Sequence, residues 1–309
     1  MKVMKIEHLQ GLISAPFTPF DESGKLDVSL IPAYYTFLKR NGVAGAFIIG
    51  STGEGVSMSL EEKKTVAKAW ADCSNHDADF KVMVFLGGTC LTDCIELAKY
   101  SYEIGLYAVS ITAPFYFKPG NVDTLAEICI KVGESVPNMP LYYYHIPVLT
   151  GVNIPMFDLV RALDGKLPNF AGVKYTHEDF MDFQSCMSYA DGKFDMLWGR
   201  DENMLSALVL GAKGAVGSTF NYAAPLYYDL IDAFNNNDLM KARKLQQKSI
   251  DMIRFLGKYG GISVGKAYMK LVGHNLGEFR LPVKNMNAAQ FELFKKDVEG
   301  LNFDAFKSK

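Results

Sequence analysis

Lys174 is the residue of this chain with the most chemical potential. It closes the apolar run Phe170-Ala171-Gly172-Val173 and is followed by Tyr175-Thr176. Upstream, a second apolar run, Leu141-Tyr142-Tyr143-Tyr144, ends in His145-Ile146-Pro147. If the two runs are neighbouring parallel strands, Lys174 and a tyrosine face one pocket. An amine held among apolar groups loses part of its preference for the charged form, which leaves more free amine to attack a carbonyl. The competing reading is a lysine that buries its stem and lifts its head into water.

Three further strings could serve such an amine. In Gly50-Ser51-Thr52-Gly53-Glu54-Gly55, small residues let backbone N–H groups approach an anion, and the Ser51 and Thr52 hydroxyls add donors that suit a carboxylate. Gly199-Arg200-Asp201-Glu202 and Gly217-Ser218-Thr219 bring two carboxylates and two hydroxyls. Asp201 and Glu202 could also favour the start of the helix that follows them. A lysine amine condenses with a ketone to a Schiff base, whose protonated nitrogen accepts the electrons of a breaking carbon–carbon bond. A tyrosine hydroxyl such as that of Tyr144 can move the accompanying proton. Lysine, tyrosine and a carboxylate-binding hydroxyl pair together suggest a class I aldolase acting on a 2-keto acid. His145 and His177 fall close by, but a lone histidine is more often structural, and neither is assigned a role.

These strings need a scaffold that brings them together. Short apolar runs at 12–17, 46–50, 82–86, 108–113, 141–144, 172–175, 196–199 and 215–218 alternate with segments of helical period at 30–40, 60–73, 92–104, 122–134, 156–163, 180–189 and 203–210. Ser59-Leu60-Glu61-Glu62 is a capping box, and Asn41-Gly42 and Gly105 stand where helices should stop. Eight strands each followed by a helix are the requirement of a (β/α)₈ TIM barrel, an α/β fold whose catalytic groups sit at the carboxyl ends of its strands. A doubly wound sheet is the rival, but no GxGxxG follows the first strand and no Walker loop occurs. Residues 225–234 would complete the barrel. Helical stretches at 240–256, 264–272 and 288–298 then form a C-terminal extension, dividing the chain into a barrel at 1–238 and a helical segment at 239–309.

Composition removes several classes. The chain has 309 residues, 49% of them hydrophobic, and a formal net charge of −2, so it carries neither the basic stripe of a nucleic-acid binder nor a polybasic membrane anchor. The opening residues 1–8 lack an apolar leader core, no run is long enough to span a bilayer, and a cytoplasmic location is expected. Five scattered cysteines argue for reduced thiols. Cys90 and Cys94 are expected on one helix face as packing residues, and no metal-ligand spacing is present.

Taken in order and spacing, Gly50-Ser51-Thr52-Gly53-Glu54, Tyr144-His145-Ile146-Pro147 ahead of Thr150-Gly151, and Gly172-Val173-Lys174 resemble the N-acetylneuraminate lyase and dihydrodipicolinate synthase superfamily along essentially the whole chain. The resemblance implies pyruvate bound as a Schiff base on Lys174, its carboxylate held by Ser51 and Thr52, and a proton relayed by Tyr144. It implies no metal or organic cofactor, small-molecule substrates as the only partners besides further copies of the chain, and usually a homotetramer. Tyr116 matches a tyrosine that reaches toward the neighbouring subunit's catalytic tyrosine. Synthases of this group carry an arginine two positions after the motif proline, whereas this chain has Leu149, which cannot bind a second carboxylate. The remaining strings resemble the sialic acid lyase pattern, in which Thr176, Gly199, Asp201, Glu202 and Ser218 would contact a sugar's hydroxyl chain. The activity implied is reversible cleavage of N-acetylneuraminate to N-acetylmannosamine and pyruvate. A 2-keto-3-deoxy sugar acid aldolase is the nearest alternative.

Overall fold

The computed structural model describes residues 5–309, so the first four of the opening residues in which no leader core was found lie outside the described part. Eight strands form the centre: β1 (Gly11–Ser14), β2 (Gly45–Ile48), β3 (Lys81–Gly87), β4 (Ala108–Ile111), β5 (Leu141–His145), β6 (Phe170–Tyr175), β7 (Asp195–Trp198) and β8 (Gly214–Gly217). Each pairs in parallel with the next in chain order, and β8 closes onto β1 from Gly11↔Gly214 to Ser14↔Gly217. The expected TIM barrel is therefore the observed fold.

Strand alternation sorts the side chains into two cores. Ile13, Phe47, Phe85, Tyr142, Tyr144, Leu197 and Val216 belong to the set that fills the barrel. Leu12, Ile48, Val84, Val109, Val173 and Trp198 belong to the outer set, packed beneath the helices. Those helices are α1 (Ile31–Arg40), α2 (Leu60–Ser74), α3 (Leu91–Glu103), α4 (Val122–Ser135), α5 (Pro147–Thr150), α6 (Met156–Leu163), α7 (Phe180–Ser188), α8 (Met204–Val209) and α9 (Phe220–Asn235). Beyond them lie α10 (Leu239–Tyr259), α11 (Val264–Leu271) and α12 (Ala288–Gly300). The capping box before α2 is present, with Ser59 accepting from the Glu62 N–H and Glu62 accepting from the Ser59 N–H.

Four local expectations need correction. The first strand ends at Ser14 and not at 17, since Pro16 has no N–H to give to a ladder. The single turn α5 follows β5 unannounced, begun by Pro147, whose fixed φ suits a first helical position. α9 starts at Phe220, five residues before the expected 225, and bends at Ala223 (φ −141°, ψ 29°); Pro225 clashes with the preceding turn and lacks the N–H that would continue it. Cys90 is exposed at the N-cap of α3 while Cys94 is buried, so the two do not share a packing face. All five cysteines are free, and among the described residues no helix is long and apolar enough to cross a membrane.

Candidate active site

The strands place Lys174 directly beside Tyr144, because β5 and β6 pair with the register Tyr144↔Lys174. Both side chains are buried. The Lys174 ammonium does not snorkel. Its Nζ lies 3.9 Å from the centre of the Phe47 ring and 4.0 Å from that of Tyr144. Aromatic faces favour a cation by up to about 2 kcal/mol when desolvated, and Asp201 acts in the same direction. Burial outweighs both and pulls the amine down to about 7. Far more of it is then free base at neutral pH than in an ordinary lysine, where the share is less than about one part in a thousand.

Tyr144 is fixed on three sides. Phe47 and Phe85 meet its ring edge-on at 5.4 and 5.5 Å, and the Thr112 hydroxyl donates to its carbonyl at 2.8 Å from the neighbouring strand. Burial raises its hydroxyl to about 12, partly opposed by the hydroxyl of Ser51. The Ser51 hydroxyl lies 3.5 Å from that of Tyr144, a long contact of the kind that tightens when a substrate bridges the pair.

The two groups open into a cavity of about 250 Å³ at the carboxyl ends of the strands. Ser51, Thr52, Tyr144, Lys174, Thr176, Gly199, Asp201, Glu202 and Ser218 all line it. Nine of the ten residues expected from sequence thus converge. The tenth, Tyr116, is 77% exposed beside Phe117 in the β4–α4 loop and does not reach this cavity within one chain. Leu149 stands on the cavity's edge, so the position that would need a cation is apolar.

Asp201 and Glu202 stand in the first turn of the short helix Asp201–Asn203, as their sequence position allowed, and the Asp201 carboxylate has a further partner. Its Oδ2 accepts from the Thr219 N–H at 2.9 Å and from the Thr219 hydroxyl at 2.6 Å. The Thr219 oxygen also lies 2.6 Å from the Tyr227 hydroxyl, which meets the Ser249 hydroxyl of α10 at 2.8 Å. Burial raises Asp201 to about 6 and the Thr219 hydroxyl restrains the rise, so the group is largely ionised at neutral pH. Glu202 is more open and pairs with Arg200 at 2.8 Å. Two glycines make room for this set. A Cβ at Gly199 would lie 2.0 Å from the Thr176 hydroxyl, and one at Gly217 would lie 2.0 Å from Asp201 Oδ1. The Thr176 hydroxyl is itself buried without a hydrogen-bond partner, poised for one that a ligand would bring.

His145 turns away from the cavity, its ring among Tyr143, Tyr175 and His177, and burial pushes it down to about 3. It stays neutral, in keeping with the absence of an assigned role. Some contributors were not foreseen. Period-two alternation along β2 could have found Phe47, whereas nothing in Gly217-Ser218-Thr219 marks Thr219 as the partner of Asp201. Ile253 and Leu256 of α10 and Ile262 beyond it also line the cavity, and Gln246 donates to the Asp201 carbonyl at 3.2 Å. Helical periodicity alone carries no signal for that wall.

Known proteins resemble this chain in sequence and in fold. The sequence matches the dihydrodipicolinate synthetase family over residues 8–300. It is 40% identical to the N-acetylneuraminate lyase of Rattus norvegicus over 280 residues, 89% of this chain and 87% of the relative. Among solved structures it is similar to the N-acetylneuraminate lyase of Proteus mirabilis, with a TM-score of 0.93 and 37% identity over 96% of this chain and 100% of the other. The sialic acid aldolase of Aliivibrio salmonicida gives a TM-score of 0.93 and 36% identity, covering 96% and 98%. A barrel with its lysine on β6, its tyrosine on β5 and its hydroxyl pair after β2, matched over nearly the whole chain, belongs to the dihydrodipicolinate synthetase family.

Proposed function

We propose that this chain is a Schiff-base aldolase that reversibly cleaves N-acetylneuraminate to N-acetyl-D-mannosamine and pyruvate. The observation that carries the reading is the buried Lys174 amine, set against the Phe47 and Tyr144 rings and in register with Tyr144. The amine attacks the C2 ketone and water leaves, giving a protonated imine. Ser51 and Thr52 hold the adjacent carboxylate. As the C3–C4 bond breaks, its electrons pass to the iminium to form an enamine, and the C4 hydroxyl loses its proton toward Tyr144. Burial keeps Tyr144 a hydroxyl, so it works as a relay that takes the C4 hydroxyl proton while passing on its own, the proton that is finally returned at C3 of the enamine. The aldehyde sugar departs, the enamine is protonated at C3, and hydrolysis returns pyruvate and the free amine.

Thr176, Gly199, Asp201, Glu202 and Ser218 face the hydroxyl chain of the sugar. Carboxylates suit this role because each can accept from two hydroxyls. Leu149 speaks against a second carboxylate on the substrate. The expected experiment is release of pyruvate from N-acetylneuraminate at a kcat/KM at least about tenfold above that for 2-keto-3-deoxygluconate. The reverse preference would make the chain a 2-keto-3-deoxy sugar acid aldolase.

The same reading takes the active form as a cytoplasmic homotetramer in which Tyr116 of one subunit reaches toward the next. Its exposure in the isolated chain and the five unpaired cysteines support this. Within each subunit the barrel unit ends at residue 238 and a helical unit follows over 239–309.

Thr219 provides a separate test of the sugar side. In Thr219→Val the shape is kept, but Asp201 loses one of its two donors on Oδ2. Loss of a hydrogen bond to a charged group costs about 1.5–3 kcal/mol, so KM for N-acetylneuraminate is expected to rise roughly 10- to 100-fold, with pyruvate trapping at Lys174 unchanged. Thr219→Ser should restore KM. An unchanged KM in Thr219→Val would remove Asp201 orientation from the account of the site.

A further inference from the structure

The loop that carries Ser51 and Thr52 is held in a conformation its own residues do not favour. Ile49 and Glu54, which flank the pair, both have left-handed backbone, with φ of 64° and 58°. Such a φ is a genuine outlier for β-branched Ile49. Non-glycine residues held there cost of order 1–3 kcal/mol each and persist only where the surroundings over-determine them. Gly55 shows how tightly the loop is closed, since a Cβ there would lie 1.8 Å from the Ile49 carbonyl oxygen.

Glycine would hold the backbone of position 54 without strain, so the glutamate needs a reason. Its carboxylate supplies one. It is buried, with Oε1 accepting from Lys266 Nζ at 3.0 Å and Oε2 accepting from the Arg280 N–H at 2.8 Å. Lys266 is equally buried on α11, 212 positions along the chain. Its Nζ also donates to the Glu278 carbonyl at 3.0 Å and lies 4.6 and 4.9 Å from the Phe20 and Phe279 rings. Burial is the largest influence on both partners, raising Glu54 and lowering Lys266. A buried pair of this kind adds little net stability compared with apolar side chains of similar size, while removing one partner leaves an uncompensated charge. Its value therefore lies in the geometry it specifies, two positions from Thr52.

We propose that the Glu54–Lys266 ion pair is a clamp through which the C-terminal helices hold Ser51 and Thr52 in the conformation that receives the carboxylate of the keto acid. Glu54 and Lys266 are thus positioning residues that touch no substrate. The inference rests on the proposed role of Ser51 and Thr52 in binding pyruvate.

The test is borohydride trapping at Lys174 over a range of pyruvate concentrations in the full-length chain, in Glu54→Gln, Lys266→Met and the paired variant Glu54→Met/Lys266→Met. The paired variant leaves no orphan charge and serves where a single variant does not fold. Half-saturation by pyruvate is expected to rise at least tenfold in each folded variant, while the adduct at saturation and the KM for N-acetylmannosamine stay unchanged. Amide exchange over residues 49–57 should rise in parallel. A fall in thermal midpoint with unaltered half-saturation would make the pair a structural brace and overturn the clamp, as would unaltered exchange in that loop. No adduct at Lys174 in the unaltered chain would instead reject the aldolase reading; the exchange measurement would then still decide whether the pair orders the loop.

Discussion

Replacing Lys174 with alanine is expected to abolish the three-carbon adduct trapped by borohydride in the presence of pyruvate, and to lower turnover by about 10⁴-fold or more, since no second route to an electron sink is available. Mass analysis of the peptide containing Lys174 reads the result directly. Lys174→Arg should fail in the same way, because a guanidinium stays protonated and is not a nucleophile. The desolvated amine adds a pH signature. Burial among Phe47 and Tyr144 lowers its proton affinity, so adduct formation at fixed pyruvate should climb with pH through about 7 and level off above it. A profile still climbing at about pH 9, as for an exposed lysine, would contradict the desolvated state. An adduct mapped to another peptide would sink the mechanism outright.

Tyr144→Phe is the second large effect, and it should separate two steps that Lys174→Ala removes together. The phenylalanine keeps the edge-on packing against Phe47 and Phe85 and removes only the hydroxyl. Cleavage of N-acetylneuraminate is expected to slow by roughly 10²- to 10⁴-fold, the range of a lost proton-transfer group, while pyruvate still forms a trappable adduct on Lys174. The informative quantity is the ratio of the two losses. If trapping and turnover fall together, Tyr144 binds substrate and does not relay a proton.

How much of this could be read from the chain depends on the range over which each contact acts. The strands were legible because each is a short apolar run beside a helix of opposite periodicity, and the barrel rule then turned strand ends into one site. Lys174, Tyr144, Ser51, Thr52 and Asp201 were found that way. The environment that gives them their properties was not. Phe47 approaches Lys174 from β2, four strands away in chain order, and Thr219 reaches Asp201 across the β7–β8 crossover. The Glu54–Lys266 pair joins residues with no shared period or motif. The local reading of Asp201-Glu202 as favouring a helix start holds, since both stand in a first helical turn, but the two donors that Thr219 offers to one Asp201 oxygen lie beyond local pattern. Local pattern identifies elements, whereas partner choice over many tens of residues is settled by packing.

The wall supplied by α10 is independent of the strand ladder. Gln246, Ser249, Ile253 and Leu256 recur at helical spacing along it, the first two reaching the Asp201 backbone and the last two facing the cavity. The lysine and tyrosine, by contrast, are tied to strand register, where a one-residue slip would turn both away. Strand register thus fixes the amine and hydroxyl relative to each other, while one wall of the cavity lies on a helix that takes no part in that register. Substitutions at Ile253 or Leu256 can therefore reshape the cavity while the Lys174–Tyr144 pairing stays in place.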